Sequence, residues 1–341
     1  MSALFYLGMA LICVIGIAAL FSKQLIPKVG KTLVFMDMSR QLSKSKLVEK
    51  KVTLSNGIVA WYLERASQGS PDGPTLVILP GSTVYMRLMG VEASALLASM
   101  PKRRVIILEL PYHGKNAAFD YDFSNPDCSM SGMANYVEEF RKALALEEPF
   151  DLMGYSLGGG IATHYVLAHH NRVNKLLLLA PYYYEAATDI YNAIYDQKQW
   201  GNLNGWETSE DMAHWFHTWL GLDTKDTFPG LIMSGLAAVR SELYPPEYWS
   251  KIYDVFFEAW DESKSFLEDN ASSLAELTCS VLVLTAAMDK ICDPTKLTRL
   301  DGLFNSELCT VKSLNSGHFF ASGGQTLSEV AAPDMVEFFS V

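Results

Sequence analysis

One short stretch near the middle of the chain restricts the fold more than any other. The apolar run Phe150 to Met153 leads into Gly154-Tyr155-Ser156-Leu157-Gly158, and a helical pattern continues from there to His170. A serine between two glycines at a strand-to-helix turn is typical of a nucleophile elbow, where a Cβ at either glycine would collide with nearby backbone. The sequence therefore predicts that Ser156 lies at the tip of a strained turn.

Short apolar runs before and after this turn predict a sheet. Ser55-Asn56-Gly57 is an Asn-Gly hairpin signal between two strands, and the later runs alternate with helical segments, as in a doubly wound, mostly parallel α/β fold. The predicted strands are Lys51 to Leu54, Ile58 to Glu64, Thr75 to Leu79, Arg104 to Leu108, Phe150 to Met153, Lys175 to Leu179, Val281 to Thr285 and Val311 to Leu314. The predicted helices are Met86 to Ser99, Met130 to Leu146, Leu157 to His170 and Leu327 to Phe339.

The alternation stops between residues 181 and 261, where six of the seven tryptophans fall. We predict a helical cap there, inserted into an α/β core formed by residues 49–180 and 262–341. Its aromatic side chains suit an apolar acyl chain, although an aromatic pattern at helical spacing is also typical of a packed core. Trp215 and Trp219 in the cap, with Met86 after the third strand, are the predicted substrate contacts.

The first residues predict a membrane anchor. Ala3 to Phe21 is an uncharged run of 19 residues, which as a helix would be about 28 Å long, close to the thickness of a bilayer core. A cleaved signal peptide is the alternative, but no lysine or arginine precedes the run. Residues 1–22 are therefore predicted to be a single transmembrane helix, followed by a basic juxtamembrane linker over residues 23–48.

Charge is distributed unevenly along the chain. The net charge is −11, yet residues 22–51 contain eight basic and two acidic residues, a local charge of +6. A basic flank tends to stay cytoplasmic and can lie against anionic headgroups, so the catalytic domain is predicted to face the cytosol; an ordinary solvated charge run is the alternative. A glycan on the sequon at Asn270 would contradict this orientation.

Composition also excludes several classes of function. A strongly acidic chain lacks the basic footprint that nucleic-acid binding requires, so no nucleic-acid partner is predicted. The five cysteines have neither a CxxC pattern nor a Cys/His spacing that binds zinc. No cofactor and no metal are predicted.

The serine needs partners, because a hydroxyl becomes a nucleophile only when a base takes its proton and a carboxylate orients that base. Asp289 follows the strand Val281 to Thr285, at the end of the strand where α/β sheets carry their sites, and Asp293 is the alternative. His318 follows the last predicted strand and is the only histidine after these acids. The order serine, aspartate, histidine predicts a triad of Ser156, Asp289 and His318.

Backbone donors must also stabilise the oxyanion that forms during acyl transfer. One donor is expected from the residue after the nucleophile and another from the loop after the third strand. The candidates are the backbone N–H groups of Leu157 and Ser82, with Gly81 allowing the backbone to turn into the site. A plain turn is the alternative for this stretch.

Together these motifs resemble the α/β-hydrolase superfamily over residues 50–340. Leu79-Pro80-Gly81-Ser82 matches the oxyanion loop of that superfamily, and Leu110-Pro111-Tyr112-His113-Gly114 matches its Pro-Gly-His-Gly-type turn. Pro80 departs from the pattern, because relatives usually have histidine there, and proline stiffens the loop and lacks a backbone donor.

The predicted anchor, the chain length and the predicted cap look most similar to the membrane-anchored monoacylglycerol lipases of the alpha/beta-hydrolase-domain 6 type. That resemblance implies hydrolysis of a carboxylic ester with an apolar acyl group, in a monoacylglycerol or lysophospholipid, through an acyl-enzyme on Ser156. A thioesterase, a carbon-carbon bond hydrolase and a non-catalytic ligand-binding homologue are the alternatives. An acyltransferase is less favoured, because no histidine starts a His-x4-Asp motif.

Overall fold

The apolar runs form one eight-stranded sheet. The strands in chain order are β1 (Val48–Thr53), β2 (Val59–Arg65), β3 (Leu76–Leu79), β4 (Val105–Leu108), β5 (Phe150–Tyr155), β6 (Val173–Leu179), β7 (Ser280–Ala286) and β8 (Cys309–Leu314). Their order across the sheet is β1-β2-β4-β3-β5-β6-β7-β8. Strands β3 to β8 are parallel, while β2 pairs antiparallel with β1 and β4. The predicted α/β class and its antiparallel opening are confirmed.

The opening hairpin turns where the Asn-Gly pair predicted it. Asn56 Oδ1 accepts a hydrogen bond from Ile58 N at 3.1 Å, and Gly57 has a φ of +85°, a left-handed value that glycine adopts without steric cost. The backbone N–H of Leu54 bonds to the carbonyl of Ile58 and closes the turn. β1 is thereby held along β2 at one edge of the sheet.

The parallel strands are buried on both faces, as their continuous apolar sequences predict. In β3, Val77 and Leu79 belong to one core cluster, while Leu76 and Ile78 belong to the cluster on the opposite face. Side chains alternate across a strand, so a run without polar residues needs helices on both sides of the sheet. The structure is therefore a three-layer arrangement with the sheet in the middle.

Helices cover both faces. The first five are α1 (residues 28–44), α2 (Met86–Glu92), α3 (Ser94–Ser99), α4 (Met130–Ala143) and α5 (Leu157–Ala168). Later helices are Asp189–Asp196, Phe266–Asp269, Ala271–Ala275, Pro294–Leu297, Leu327–Val330 and Ala332–Ser340. The last of these packs back on the sheet as predicted, with Met335 and Phe339 buried.

Two helical regions differ from the sequence-based expectation. The helix predicted over Met86 to Ser99 is interrupted at Ala93, which ends α2 and precedes α3. Most of the predicted juxtamembrane linker is the helix α1, whose residues Val34 and Met38 pack against Tyr85 and Val239. The basic segment is thus an ordered part of the catalytic domain along most of its length.

The computed structural model describes residues 28–71, 73–82, 84–116, 127–196, 214, 234–239, 264–320 and 327–340. Most of the predicted cap lies outside these ranges, with Trp215 and Trp219, and so does the predicted anchor, Ala3 to Phe21. Within the described ranges, no helix combines the length and the apolar character needed to cross a membrane.

Candidate active site

The turn after β5 holds Ser156 in the strained backbone conformation that the motif predicts. Ser156 has φ 51° and ψ −117°, a left-handed φ that costs energy in any residue with a Cβ. Its N–H donates to the carbonyl of Leu179 at 2.8 Å, and its carbonyl accepts from the N–H of Tyr182 at 2.9 Å. Strand β6 and the segment after it therefore fix the strained turn in place.

The two motif glycines are needed because backbone segments approach each other closely here. A Cβ on Gly154 would overlap the carbonyl group of Gly158, so the elbow can close only over a glycine. A Cβ on Gly158 would overlap the carbonyl oxygens of Leu79 and Pro80. The second glycine thus lets the loop after β3 lie against the start of α5.

The loops after β5, β7 and β8 bring the three predicted side chains into one hydrogen-bonded chain. Ser156 Oγ lies 3.0 Å from His318 Nε2, and His318 Nδ1 lies 2.6 Å from Asp289 Oδ2. A carboxylate only accepts, so Nδ1 carries the proton and Nε2 accepts from the serine hydroxyl. All three residues are buried, which protects this arrangement from bulk water.

The carboxylate of Asp289 is itself held in place. Its Oδ1 accepts from the backbone N–H groups of Ile291 and Cys292, at 2.8 and 3.0 Å. The alternative acid, Asp293, instead accepts from Thr295 N at 2.8 Å and caps the short helix Pro294–Leu297. Geometry therefore favours Asp289 over Asp293 as the partner of His318.

The loops that carry the acid and the histidine are also bonded to each other. Met288 N donates to Ser316 O at 2.9 Å, and Ala287 N donates to Leu314 O at 2.8 Å. These bonds continue the parallel pairing of β7 with β8 beyond the last paired residues. The loops that carry Asp289 and His318 are therefore held in a fixed position relative to each other.

The loop after β3 lies directly against the nucleophile. A Cβ on Gly81 would sit 2.9 Å from the ring of Tyr155 and 3.1 Å from the Cβ of Ser156. Ser82 follows as a half-buried turn residue, and Leu157 is the first residue of α5, where a helix leaves N–H groups without an intrahelical partner. Both predicted oxyanion donors thus belong to segments that border Ser156.

A sequence profile described as the alpha/beta hydrolase fold matches residues 61–322 of the chain. The chain belongs to this family. A human relative, the 1-acylglycerol-3-phosphate O-acyltransferase ABHD5, is 29% identical over 142 residues, which is 42% of this chain and 39% of that protein. A similar match at 28% identity is found to the protein of that name from Sus scrofa, over 41% of this chain and 38% of the relative. The match therefore spans well under half the length of these curated relatives.

Solved structures of other hydrolases share the fold of this alpha/beta hydrolase. The protein lip1 from Acinetobacter baumannii AYE superimposes with a TM-score of 0.65 at 18% identity, and the match covers 89% of this chain and 92% of that one. A bacterial membrane phospholipase A superimposes with a TM-score of 0.64 at 18% identity, and the match covers 92% of this chain and 90% of that one. The hydrolase BphD from Rhodococcus sp. strain RHA1 superimposes with a TM-score of 0.62 at 18% identity, over 86% of this chain and 99% of that one. At such identities the likeness establishes the fold alone.

One residue of the hydrolase site, Tyr155, was not singled out from the sequence. Its hydroxyl donates to the backbone carbonyl of His318 at 3.2 Å, and its ring lies 5.5 Å from the His318 ring. Burial, with the nearby charge of Asp289, raises the pKa of Tyr155 well above its ordinary value, so the hydroxyl keeps its proton and remains a donor. Tyr155 therefore joins the elbow to the histidine loop.

A buried carboxylate, Glu109, lies at the end of β4. Its Oε1 accepts from Met86 N at 2.9 Å, and its Oε2 accepts from Lys115 N at 3.4 Å. Burial raises the pKa of Glu109 to about 8. Gly114 has a φ of +45°, and a Cβ there would overlap this carboxylate. Glu109 therefore holds the start of α2 and the turn after β4 together.

One group in the described part of the chain has side chains close enough to hold a metal ion: Asp289, Cys292 and His318, whose ligand atoms lie within 4.8 Å of one another. Two of these residues already bond to each other through the atoms a metal would use. Burial raises the pKa of the Cys292 thiol well above its ordinary value, which opposes the thiolate that metals prefer. The aspartate–histidine–serine chain accounts for this cluster.

Of the three predicted substrate contacts, the structure describes Met86. Its side chain is fully buried and packs in the core cluster that also contains Met89, Met153 and Phe320. It contributes to the core packing at the start of α2, and its contact with substrate stays a prediction. The other two predicted contacts, Trp215 and Trp219, lie outside the described residues.

Proposed function

We propose that this chain is a serine hydrolase that cleaves a carboxylic ester of an apolar acyl substrate, with Ser156 as the nucleophile. One observation carries the proposal: the unbroken hydrogen-bonded chain from Ser156 Oγ through His318 to Asp289. A protein that only binds a ligand has no need of a serine, a base and a buried carboxylate in this order. The strained φ of Ser156 also favours catalysis, because strain of this kind concentrates at active sites.

The reaction follows from the proton positions. His318 Nε2 takes the proton of the Ser156 hydroxyl while Oγ attacks the ester carbonyl, and the carbonyl electrons move to the oxygen. The tetrahedral intermediate collapses, the imidazolium of His318 protonates the leaving alcohol, and an acyl-enzyme remains. Water, activated by the same histidine, then releases the fatty acid and restores the serine. Asp289 stabilises the imidazolium in both halves.

The oxyanion is assigned to the backbone N–H groups of Leu157 and Ser82. The position of Gly81 against the Ser156 Cβ supports this assignment, because it brings the turn at Ser82 close to the reacting carbonyl. Pro80 has no N–H and cannot serve as a donor. Its carbonyl instead faces the start of α5 at Gly158, so the loop is fixed by close packing.

A monoacylglycerol or lysophospholipid is the proposed substrate class. The apolar run Ala3 to Phe21 and the basic residues after it support a single membrane anchor with the catalytic domain on the cytosolic side. An enzyme tethered in this way meets esters that reside in a bilayer. The six tryptophans of residues 181–261, proposed to form a cap, suit an apolar acyl chain.

Acyl transfer is the second candidate, because the human and pig relatives are named as acyltransferases. The chemistry differs only in the second half, where the hydroxyl of a lysophospholipid would replace water in attacking the acyl-enzyme. Since the match covers less than half of either relative, hydrolysis remains the leading proposal.

Two measurements on purified full-length protein test the proposal. A fluorophosphonate probe should label wild type and should not label Ser156→Ala, with circular dichroism to establish that the variant is folded. Incubation with monoacylglycerol should then release fatty acid, and adding lysophosphatidic acid separates the candidates, since transfer would yield phosphatidic acid. Failure of folded wild type to react with the probe would refute the enzyme proposal.

A further inference from the structure

The helix α1 carries an exposed apolar stripe. Val29, Leu33 and Met36 are 41%, 43% and 64% exposed, and they are three of the seven large apolar residues recorded as exposed in the described structure. With 100° per residue, these three side chains fall within about 60° of the helix circumference. Large apolar side chains gathered on one face are more informative than scattered ones, because such a patch marks a binding surface.

The orientation of this stripe is fixed. On the opposite side of α1, Val34 and Met38 pack against Tyr85 and Val239, and the hydroxyl of Tyr85 donates to the sulfur of Met38 at 3.2 Å. A Cβ on Gly235 would overlap the backbone of Gly30, so the two helical segments touch without intervening side chains. The helix cannot rotate to bury Val29, Leu33 and Met36 without losing this packing.

The chain before α1 limits where the stripe can be. Six residues separate Phe21, the end of the apolar run, from Lys28, the start of the described helix. A fully extended connection of this length reaches at most about 25 Å. If the apolar run crosses a bilayer, as proposed above, α1 is confined to the layer of solvent next to the headgroups.

The charges of α1 match an anionic lipid surface. Residues 28–44 contain four basic side chains and one acidic side chain. The apolar stripe occupies the half of the helix nearest the anchor, while Lys44 and Arg40 are exposed in the other half, with Arg40 paired to Asp37 at 3.3 Å. An apolar strip with basic residues beside it is the pattern of helices that lie in the plane of a membrane interface.

We propose that α1 is a membrane-docking surface, on which Val29, Leu33 and Met36 enter the headgroup region of an anionic bilayer. The catalytic domain is then held in one orientation on the membrane in addition to being tethered to it. Because α1 packs on Tyr85, three residues beyond Ser82, and on residues 234–239, this orientation also fixes the oxyanion loop relative to the bilayer. The inference rests on the proposed membrane attachment.

A fluorescent reporter on the stripe tests the docking directly. We would replace Cys13 with serine and Met36 with cysteine in the full chain, and attach an NBD fluorophore at position 36. Four other cysteines are buried, which directs the label to the new thiol: Cys128, Cys279, Cys292 and Cys309. After reconstitution into phosphatidylcholine–phosphatidylserine vesicles, the emission of NBD at position 36 should shift to shorter wavelength. A bromine-labelled lipid should quench this emission. Val59, 38% exposed in β2, provides the matched control position: a cysteine there, labelled in the same way, should change its emission much less.

An activity measurement gives the consequence. Replacing Val29, Leu33 and Met36 together by serine should lower hydrolysis of monoacylglycerol in vesicles by about tenfold or more, since each buried apolar group contributes to interfacial binding. Hydrolysis of a short water-soluble ester should stay unchanged, and Val59→Ser, at an exposed position of β2 outside the proposed cap, should leave both rates unchanged.

Each outcome of these measurements is decisive. An NBD signal at position 36 that remains water-like in vesicles that have captured the protein would overturn the docking surface while leaving the anchor intact. Protein that fails to join the vesicles at all would overturn both. A blue shift in detergent without vesicles, rising with protein concentration, would show that the stripe binds a second copy of the chain instead. The fluorescence measurement needs no ester hydrolysis. It can therefore refute the docking surface whether or not the proposed chemistry is correct.

Discussion

Replacing Tyr155 with phenylalanine removes one hydroxyl and leaves the carbonyl of His318 without its buried donor. The ring would still pack at 5.5 Å from the imidazole, so the change isolates the hydrogen bond of 3.2 Å. An unsatisfied buried carbonyl costs about 1–3 kcal/mol. For a domain of this size that loss corresponds to a decrease in Tm of about 2–4 °C for each kcal/mol.

The effect on activity should exceed the effect on stability. The His318 loop would relax away from the elbow, and a displacement of the base on the order of 1 Å can lower the rate about a hundredfold. We therefore expect kcat for ester hydrolysis to fall roughly 10- to 100-fold, while KM changes little, because Tyr155 is buried and acts on the position of His318.

Tyr165→Phe is the matched control. Tyr165 is also fully buried, and its hydroxyl donates to Glu138 Oε2 at 3.0 Å, one turn from the far end of α5. The decrease in Tm of this variant should be comparable with that of Tyr155→Phe, and its kcat should stay at the wild-type value. The positioning role of Tyr155 is wrong if both variants lose kcat equally, or if Tyr155→Phe unfolds earlier yet hydrolyses ester at the wild-type rate.

Three further predictions follow from the same geometry. Asp289→Asn should lower kcat by about 10⁴-fold. Asp293→Asn changes a helix cap and should lose at most about 1 kcal/mol of stability. Equal losses of kcat in the two variants would contradict the assignment of Asp289 as the partner of His318. Because the pKa of Glu109 is raised from 4.5 to about 8, the folded state favours its neutral form, so this stabilisation is fully present below pH 4.5 and is lost as the pH rises through 8. Glu109→Gln should flatten Tm against pH over that range, and an unchanged slope would exclude Glu109 as its source. Gly154→Ala should prevent the elbow from closing over Gly158. The folded variant should then lose fluorophosphonate labelling, whereas full labelling would refute the close-packing argument.

The central strands and the order of the site residues could be predicted because their signals are local. A strand such as β7 is buried on both faces, so its sequence is a continuous apolar run and needs no knowledge of its neighbours. The parallel arrangement then places the loops after β5, β7 and β8 at one edge, where Ser156, Asp289 and His318 meet. The helix α1 also has a signal in the sequence: Val34, Met38 and Leu42 recur every four residues within the basic segment, which is a helical period.

Other features depend on contacts that no local pattern contains. Ala93 ends α2 in the middle of a predicted helix, although neither glycine nor proline marks the position. The bond from Tyr155 to His318 joins residues 163 positions apart, and the role of Glu109 depends on Met86 and Lys115 meeting across two loops. Such contacts are set by the order of strands in the sheet, which the periodicity of each strand does not contain.

The same reasoning explains why Pro80 is compatible with the site. A residue at this position must leave β3 and bring Gly81 against Ser156, and the tight contact of its carbonyl with Gly158 already determines where the backbone goes. Proline restricts φ, so it lowers the entropy lost in fixing that path, and the N–H that it lacks is not one of the proposed oxyanion donors. The departure from the usual histidine therefore removes a side chain from the site while preserving the backbone that approaches the nucleophile. Tyr85, three residues beyond Ser82, packs against Val34 and Met38 of α1, so the same loop connects Ser156 to the helix that we propose meets the membrane.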